Sequence, residues 1–99
     1  MRELDNDIVP SMHYLKHRDY YYKEAEVTGR SIEKLILIEA AFNSLDEEDR
    51  HILQEEYLSN KTWNWWVAEY PKSTFYRYKK RAIIRFLTLL NSSIDDVKI

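Results

Sequence analysis

Between Phe75 and Leu90 the apolar positions repeat at the spacing of one helical face: Phe75, Tyr78, Ala82, Ile83 and Phe86, with Leu89 or Leu90 extending the stripe. No other stretch of the chain is so regular. Pro71 fits the first position of this helix, where a missing N–H leaves nothing unpaired, and the pattern carries the helix to about Leu90. Upstream, Trp63, Trp66, Val67 and Tyr70 predict the inward face of a short helix capped by Thr62, after a loop at Ser59-Asn60-Lys61. Before that loop, Leu45, Ile52, Leu53 and Tyr57 mark another helix. Its start reads as a Ser44–Glu47 capping box, with Asp46 to Asp49 in the first turn, where the helix dipole favours acids. Ile32, Leu35, Ile36, Glu39 and Phe42 predict a helix to Asn43 with Ser31 as N-cap. The segment from Asp5 to Val27 is the least regular. Met12, Leu15, Tyr22 and Ala25 share one face, Pro10 marks the helix start, and Thr28-Gly29 breaks it.

The expected fold is therefore all-α, about five helices ending in a helix-turn-helix. Residues 1–43 brace or dimerise, 44–90 form the working unit, and 91–99 fray. Composition agrees. A chain of 99 residues supports one domain, and a single Gly with two Pro leaves too few turn formers for a many-stranded fold. Three Trp, eight Tyr and three Phe argue against disorder. Without cysteine neither a disulfide framework nor a zinc finger is available. The acidic, polar start is unlike a secretory signal and no apolar run approaches the ~18–20 residues of a membrane span, so a cytoplasmic protein is expected.

Charge changes this picture most. Residues 72–93 hold six cations (Lys72, Arg77, Lys79, Lys80, Arg81, Arg85) and no acid, whereas residues 1–70 hold eight Lys/Arg against fifteen Asp/Glu. The formal net charge of −2 hides that polarity. A basic helix face is ordinarily a solvated face. Here it coincides with the second helix of a helix-turn-helix, the footprint of duplex DNA recognition. Opposite the apolar stripe lie Lys72, Ser73, Tyr76, Arg77 and Lys80, the expected base-contacting set. Arg77 is suited to a bidentate contact with guanine, and Lys72 and Lys80 to guanine or phosphate. Thr74 near the helix start, and Lys79, Arg81 and Arg85 further along, are expected to contact phosphate.

The stretch from Ser44 to Leu87, SLDEEDRHILQEEYLSNKTWNWWVAEYPKSTFYRYKKRAIIRFL, resembles the region 4 helix-turn-helix of sigma-70-type factors. Within that group it is most similar to the phage regulators of the ArpU and RinA families. The likeness rests on the Leu45-led acidic entry, Ile52-Leu53, Tyr57, Thr62-Trp63, the run Lys72-Ser73-Thr74-Phe75-Tyr76-Arg77 and Ala82-Ile83. It covers a little under half the chain. It implies sequence-specific duplex binding, with Lys72, Ser73, Tyr76 and Arg77 at the positions that meet base edges, in a transcription regulator of phage or prophage origin. Between Trp63 and Ser73 the chain is shorter than the family pattern, with Glu69-Tyr70-Pro71 in place of a longer turn.

Two other functions compete. One is a phage packaging or recombination accessory with the same motif. The other is a protein-interaction module binding RNA polymerase or a regulator through aromatic and acidic surfaces. Trp63 and Trp66 read as core and Trp65 as outward, a partner or packing site. Tyr20-Tyr21-Tyr22 with Tyr14 and Phe42 offer more aromatic surface than one small core absorbs, which points to a homodimer through N-terminal helices. His13 and His17, four apart, lack a third metal ligand at fixed spacing, with His51 far along the chain. No nucleophile–base arrangement or phosphate loop stands out, so neither an enzyme nor a cofactor is expected.

Overall fold

The computed structural model describes the backbone of residues 2–59 and 61–97 and the side chains of residues 5–59 and 61–92. These residues form helices and turns, with no strand among them. The helices are α1 (Arg2–Lys16), α2 (Arg18–Thr28), α3 (Glu33–Asn43), α4 (Glu47–Leu53) and α5 (Lys72–Val97). A π-helical turn, Gln54–Leu58, extends α4, closed by the Ser59 N–H on the Gln54 carbonyl at 2.9 Å. A 3-10 turn, Trp65–Ala68, precedes α5. Asn60, in the expected loop, lies outside the described residues.

Long and apolar on one side, α5 runs through two cores. In the larger, Ala82, Ile83, Phe86 and Leu90 meet Ile8, Met12 and Leu15 of α1, Ile38 and Ala41 of α3, and Leu45 and Leu53. In the smaller, Phe75 meets Ile52 and Trp66. Burying these side chains drives assembly, at ~1.5–3 kcal/mol for each large aliphatic or aromatic residue. The stripe expected for α5 is thus the one observed. The helix continues past Leu90 to Val97.

The other differences have local causes. Pro10 lies inside α1 instead of starting it. Ile8, Met12 and Leu15 are all buried against the larger core, and that gain outweighs the ~3 kcal/mol cost of an interior proline. The segment is two helices, broken at His17, and Gly29 ends α2 at φ 73°, where a left-handed residue lets its N–H reach the Ala25 carbonyl. In α3 the buried stripe is Leu35, Ile38 and Ala41, while Ile36 is 50% exposed, so the face is rotated from the expected one. The N-cap is Ile32 in place of the expected Ser31, whose Oγ accepts from the Glu33 N–H at 3.2 Å from one residue further back. Ser44 forms no capping box. Its hydroxyl donates back to the Ala40 carbonyl at 2.8 Å, and extended Asp46 starts α4. No helix among the described residues is long and apolar enough to cross a membrane.

Candidate nucleic-acid interface

The start of α5 is fixed by a stack of rings. Pro71 accepts the first helical bond from the Phe75 N–H at 2.9 Å. Trp66 lies parallel to Phe75 with centroids 4.5 Å apart and planes at 4°. Trp65 meets Phe75 edge-on at 5.6 Å, and its indole N–H donates to Glu56 Oε1 at 3.0 Å. Behind them His51 Nε2 lies 2.8 Å from Glu69 Oε2, tying α4 to the turn that leads into α5. A four-residue 3-10 turn does not keep the 3.6-residue period, and this reverses two expectations. Trp63 and Val67 are 83% and 59% exposed instead of inward, while Trp65 is half-buried instead of outward.

The six cations of α5 fall into two groups. Lys79 is buried, its Nζ 2.6 Å from Glu56 Oε2 and 3.3 Å from Asp5 Oδ1, and 5.6 Å from the centre of the Tyr57 ring. The Tyr57 hydroxyl also donates to Asp5. Burial, and then the hydrogen bond and charge of Asp5, push the Tyr57 phenol well above its ordinary value. Arg85 Nη1 is 2.9 Å from Asp49 Oδ2 and 3.4 Å from Asp46 Oδ2. Arg81 Nη2 is 3.4 Å from Asp49 Oδ1, its guanidinium 4.5 Å from the centre of the Tyr78 ring. The Asp49 carboxylate is wholly buried between these arginines, and its hydrogen bond raises Arg85 further above the ordinary arginine value.

The expectation of a phosphate contact is therefore corrected at Lys79, while Arg81 and Arg85 are engaged with Asp49. Lys79 faces the interior. Arg81 and Arg85 keep part of their surface in solvent, but each is spent on neutralising Asp49. A signal for this was present in the chain. Lys79 sits at Phe75 plus four and Ile83 minus four, and Asp49 at Leu45 plus four and Leu53 minus four, each on its helix's apolar stripe. Two opposite charges on core-facing positions imply buried pairs. Asp5, Glu56 and Asp46 complete those pairs, and sequence spacing alone does not find them.

The other group is the expected base-contacting set. Lys72, Ser73, Tyr76, Arg77 and Lys80 are all exposed and follow one another along the outer side of the first three turns of α5. Among the described residues none of these three cations has an ion-pair partner, and Arg77 lies 5.4 Å from the centre of the Tyr78 ring. Thr74 is half-buried beside them. The free N–H groups and positive dipole end of α5 add to the same pole. Further along, the outer side becomes uncharged at Ile84 and Thr88. The rings of His13, on α1, and His17, at its break, lie 4.8 Å apart and tilted at 58°, and no cluster of three potential metal ligands occurs among the described residues. No family model, curated protein or solved structure matches the chain.

Proposed function

We propose that the chain binds duplex DNA through the first three turns of α5 and acts as a transcription regulator of the sigma region 4-like kind, of phage or prophage origin. One observation carries this reading. Of six cations on one helix, the three without acidic partners among the described residues are those that share an exposed face with Ser73 and Tyr76 at the helix N-terminus. A helix of 26 residues is about 39 Å long, so only one end can enter a major groove, and the basic end is the one that attracts it. There Arg77 donates two bonds to guanine O6 and N7, while Lys72 and Lys80 contact guanine or phosphate. Ser73 meets a base edge, and Thr74, with the helix N-terminal N–H groups, contacts a phosphate and fixes the register. Tyr76 flanks the bases, its ring held at 5.7 Å from Trp66.

Selection from a random duplex library, followed by anisotropy titration at several salt concentrations, tests the proposal. A recovered consensus with salt-dependent affinity supports it. Equal, feeble binding to every duplex at low salt overturns sequence-specific regulation.

The exposed Trp63 favours a second reading, a protein-contacting module that docks on RNA polymerase. Polymerase binding that survives loss of Lys72, Arg77 and Lys80 but not of Trp63 distinguishes it.

A further inference from the structure

The second helix is stranded. None of the eleven residues of α2 is buried, and Tyr20 and Val27 are 64% and 87% exposed. A helix of this length is marginal by itself in water, and its stability comes from burying one face. Local devices hold its end: Gly29 closes the last turn, the Thr28 hydroxyl donates to the Glu24 carbonyl at 2.7 Å, and Arg30 lies 3.2 Å from Glu24 Oε1. They fix the end without covering the side. The molecule is elongated, 46 × 31 × 24 Å.

The uncovered side has a pattern. Tyr20, Lys23, Glu24 and Val27 are spaced i, i+3, i+4, i+7 and so share one stripe. The stripe is complementary to itself when reversed. Turned about a two-fold axis between Lys23 and Glu24, Tyr20 faces Val27 of a second copy and Lys23 faces Glu24 of that copy, and both contacts recur by symmetry. A parallel arrangement would set like charges together. Lys23 has no ion-pair partner among the described residues, while half-buried Glu24 meets the exposed Arg30 at 3.2 Å and the Tyr20 hydroxyl. We infer that two copies of this chain associate through an antiparallel, two-fold packing of their α2 helices, apolar at the Tyr20–Val27 contacts and sealed at the centre by reciprocal Lys23–Glu24 pairs. Such an interface is isologous and closes at two copies. One short helix per copy covers less than the roughly 1,200–2,000 Å² typical of stable complexes, so the dimer forms reversibly at micromolar concentration. This inference is independent of DNA binding.

Sedimentation velocity on the full chain, from low to high micromolar concentration, tests it. The wild type should show a concentration-dependent monomer–dimer equilibrium. Lys23→Glu and Glu24→Lys should each weaken it by about tenfold or more, since every reciprocal pair becomes a repulsion. Mixed in equal amounts, the two variants should associate again, because each supplies the charge that the other lacks. Val27→Asp should abolish association in any mixture, and circular dichroism should show all variants folded, as Lys23 and Val27 lie at the surface and Glu24 is only half-buried. A wild type that stays monomeric throughout overturns the inference and leaves this face to a different protein. Single charge variants that dimerise as the wild type does, or a mixture that shows no recovery, overturn it equally.

Discussion

Among the described residues Lys72, Arg77 and Lys80 stand in solvent without an acidic partner, whereas Lys79, Arg81 and Arg85, on the same helix, are each held by carboxylates from α1, the start of α4 or the π-helical turn. The two sets are alike in residue type and interleaved in sequence. Their environments differ because α5 turns about 100° per residue, so adjacent Lys79 and Lys80 point to different sides. On the inner side a cation can persist only if it is paired, and Glu56, Asp5, Asp49 and Asp46 supply the pairs. On the outer side water does so, and that charge stays available to a polyanion. Three of the six cations of this helix therefore have acidic partners, and among the described residues three have none.

The comparison breaks most readily at Phe75. It is buried, stacked on Trp66, and holds the start of α5. Phe75→Ala should cost ~3–5 kcal/mol, a large share of the stability of a small domain. Thermal or urea denaturation reads this. A variant as stable as the wild type would put Phe75 outside the core and the phase of α5 in error.

Lys79→Met separates the two sets. It keeps most of the aliphatic stem but leaves Asp5 and Glu56 without their cation. Loss of one partner from a buried pair costs ~3–5 kcal/mol, and partial exposure of both acids here lowers the expectation to about 2–3 kcal/mol. The salt dependence of DNA binding should not change while the variant is folded. A shallower salt slope with unchanged stability would return Lys79 to the phosphate-contacting set.

Arg77→Ala should do the reverse. Duplex affinity falls by ~1–3 kcal/mol and specificity relaxes at one base pair, the value of a bidentate guanine contact. Denaturation should show stability within about 0.5 kcal/mol of the wild type, as is usual for surface positions. Unchanged sequence preference in a repeated library selection would remove Arg77 from the base-reading set.

The smallest effect comes from Tyr57. Its phenol is raised above the ordinary value of about 10, so the folded state favours the neutral form. The corresponding stability is fully present below that ordinary value and is lost as the pH rises beyond it toward the folded-state value. Tyr57→Phe removes the hydrogen bond to Asp5, costing about 1 kcal/mol near neutrality, and flattens the alkaline loss. Melting temperatures from pH 8 to pH 11 compare the two proteins. Parallel alkaline limbs would exclude Tyr57 as their source.

Where period and burial agree, the chain was legible. The stripe of α5 needed only the spacing of Phe75, Ala82, Ile83 and Phe86, and the outward position of Lys72, Ser73, Tyr76, Arg77 and Lys80 followed from it. Legibility failed where tertiary contacts override local preference. Pro10 sits mid-helix because its neighbours are buried, and Trp63 and Val67 turn outward because, in place of the expected short helix from Trp63, there is a 3-10 turn that starts only at Trp65 and has its own period. The phase of α3 was ambiguous for a related reason: Leu35 to Ile38 are all apolar, so a face cannot be chosen until α1 and α5 are in place. The roles of Lys79 and Asp49 lay between these cases. Their positions on apolar stripes were readable, but their partners lie on elements 23 or more residues away in sequence.

The division between free and committed cations is tested most directly by the salt dependence of duplex binding. Each phosphate neutralised adds about 0.9 to the slope of log affinity against log salt, so with Arg77 on guanine and Lys72 and Lys80 on phosphate the slope is roughly −2. The triple variant Lys72→Gln, Arg77→Gln, Lys80→Gln should lose nearly all of that slope while melting like the wild type, and Arg85→Gln should keep it. A slope that survives the triple variant, or that falls as much with Arg85→Gln as with Lys80→Gln, would contradict the account.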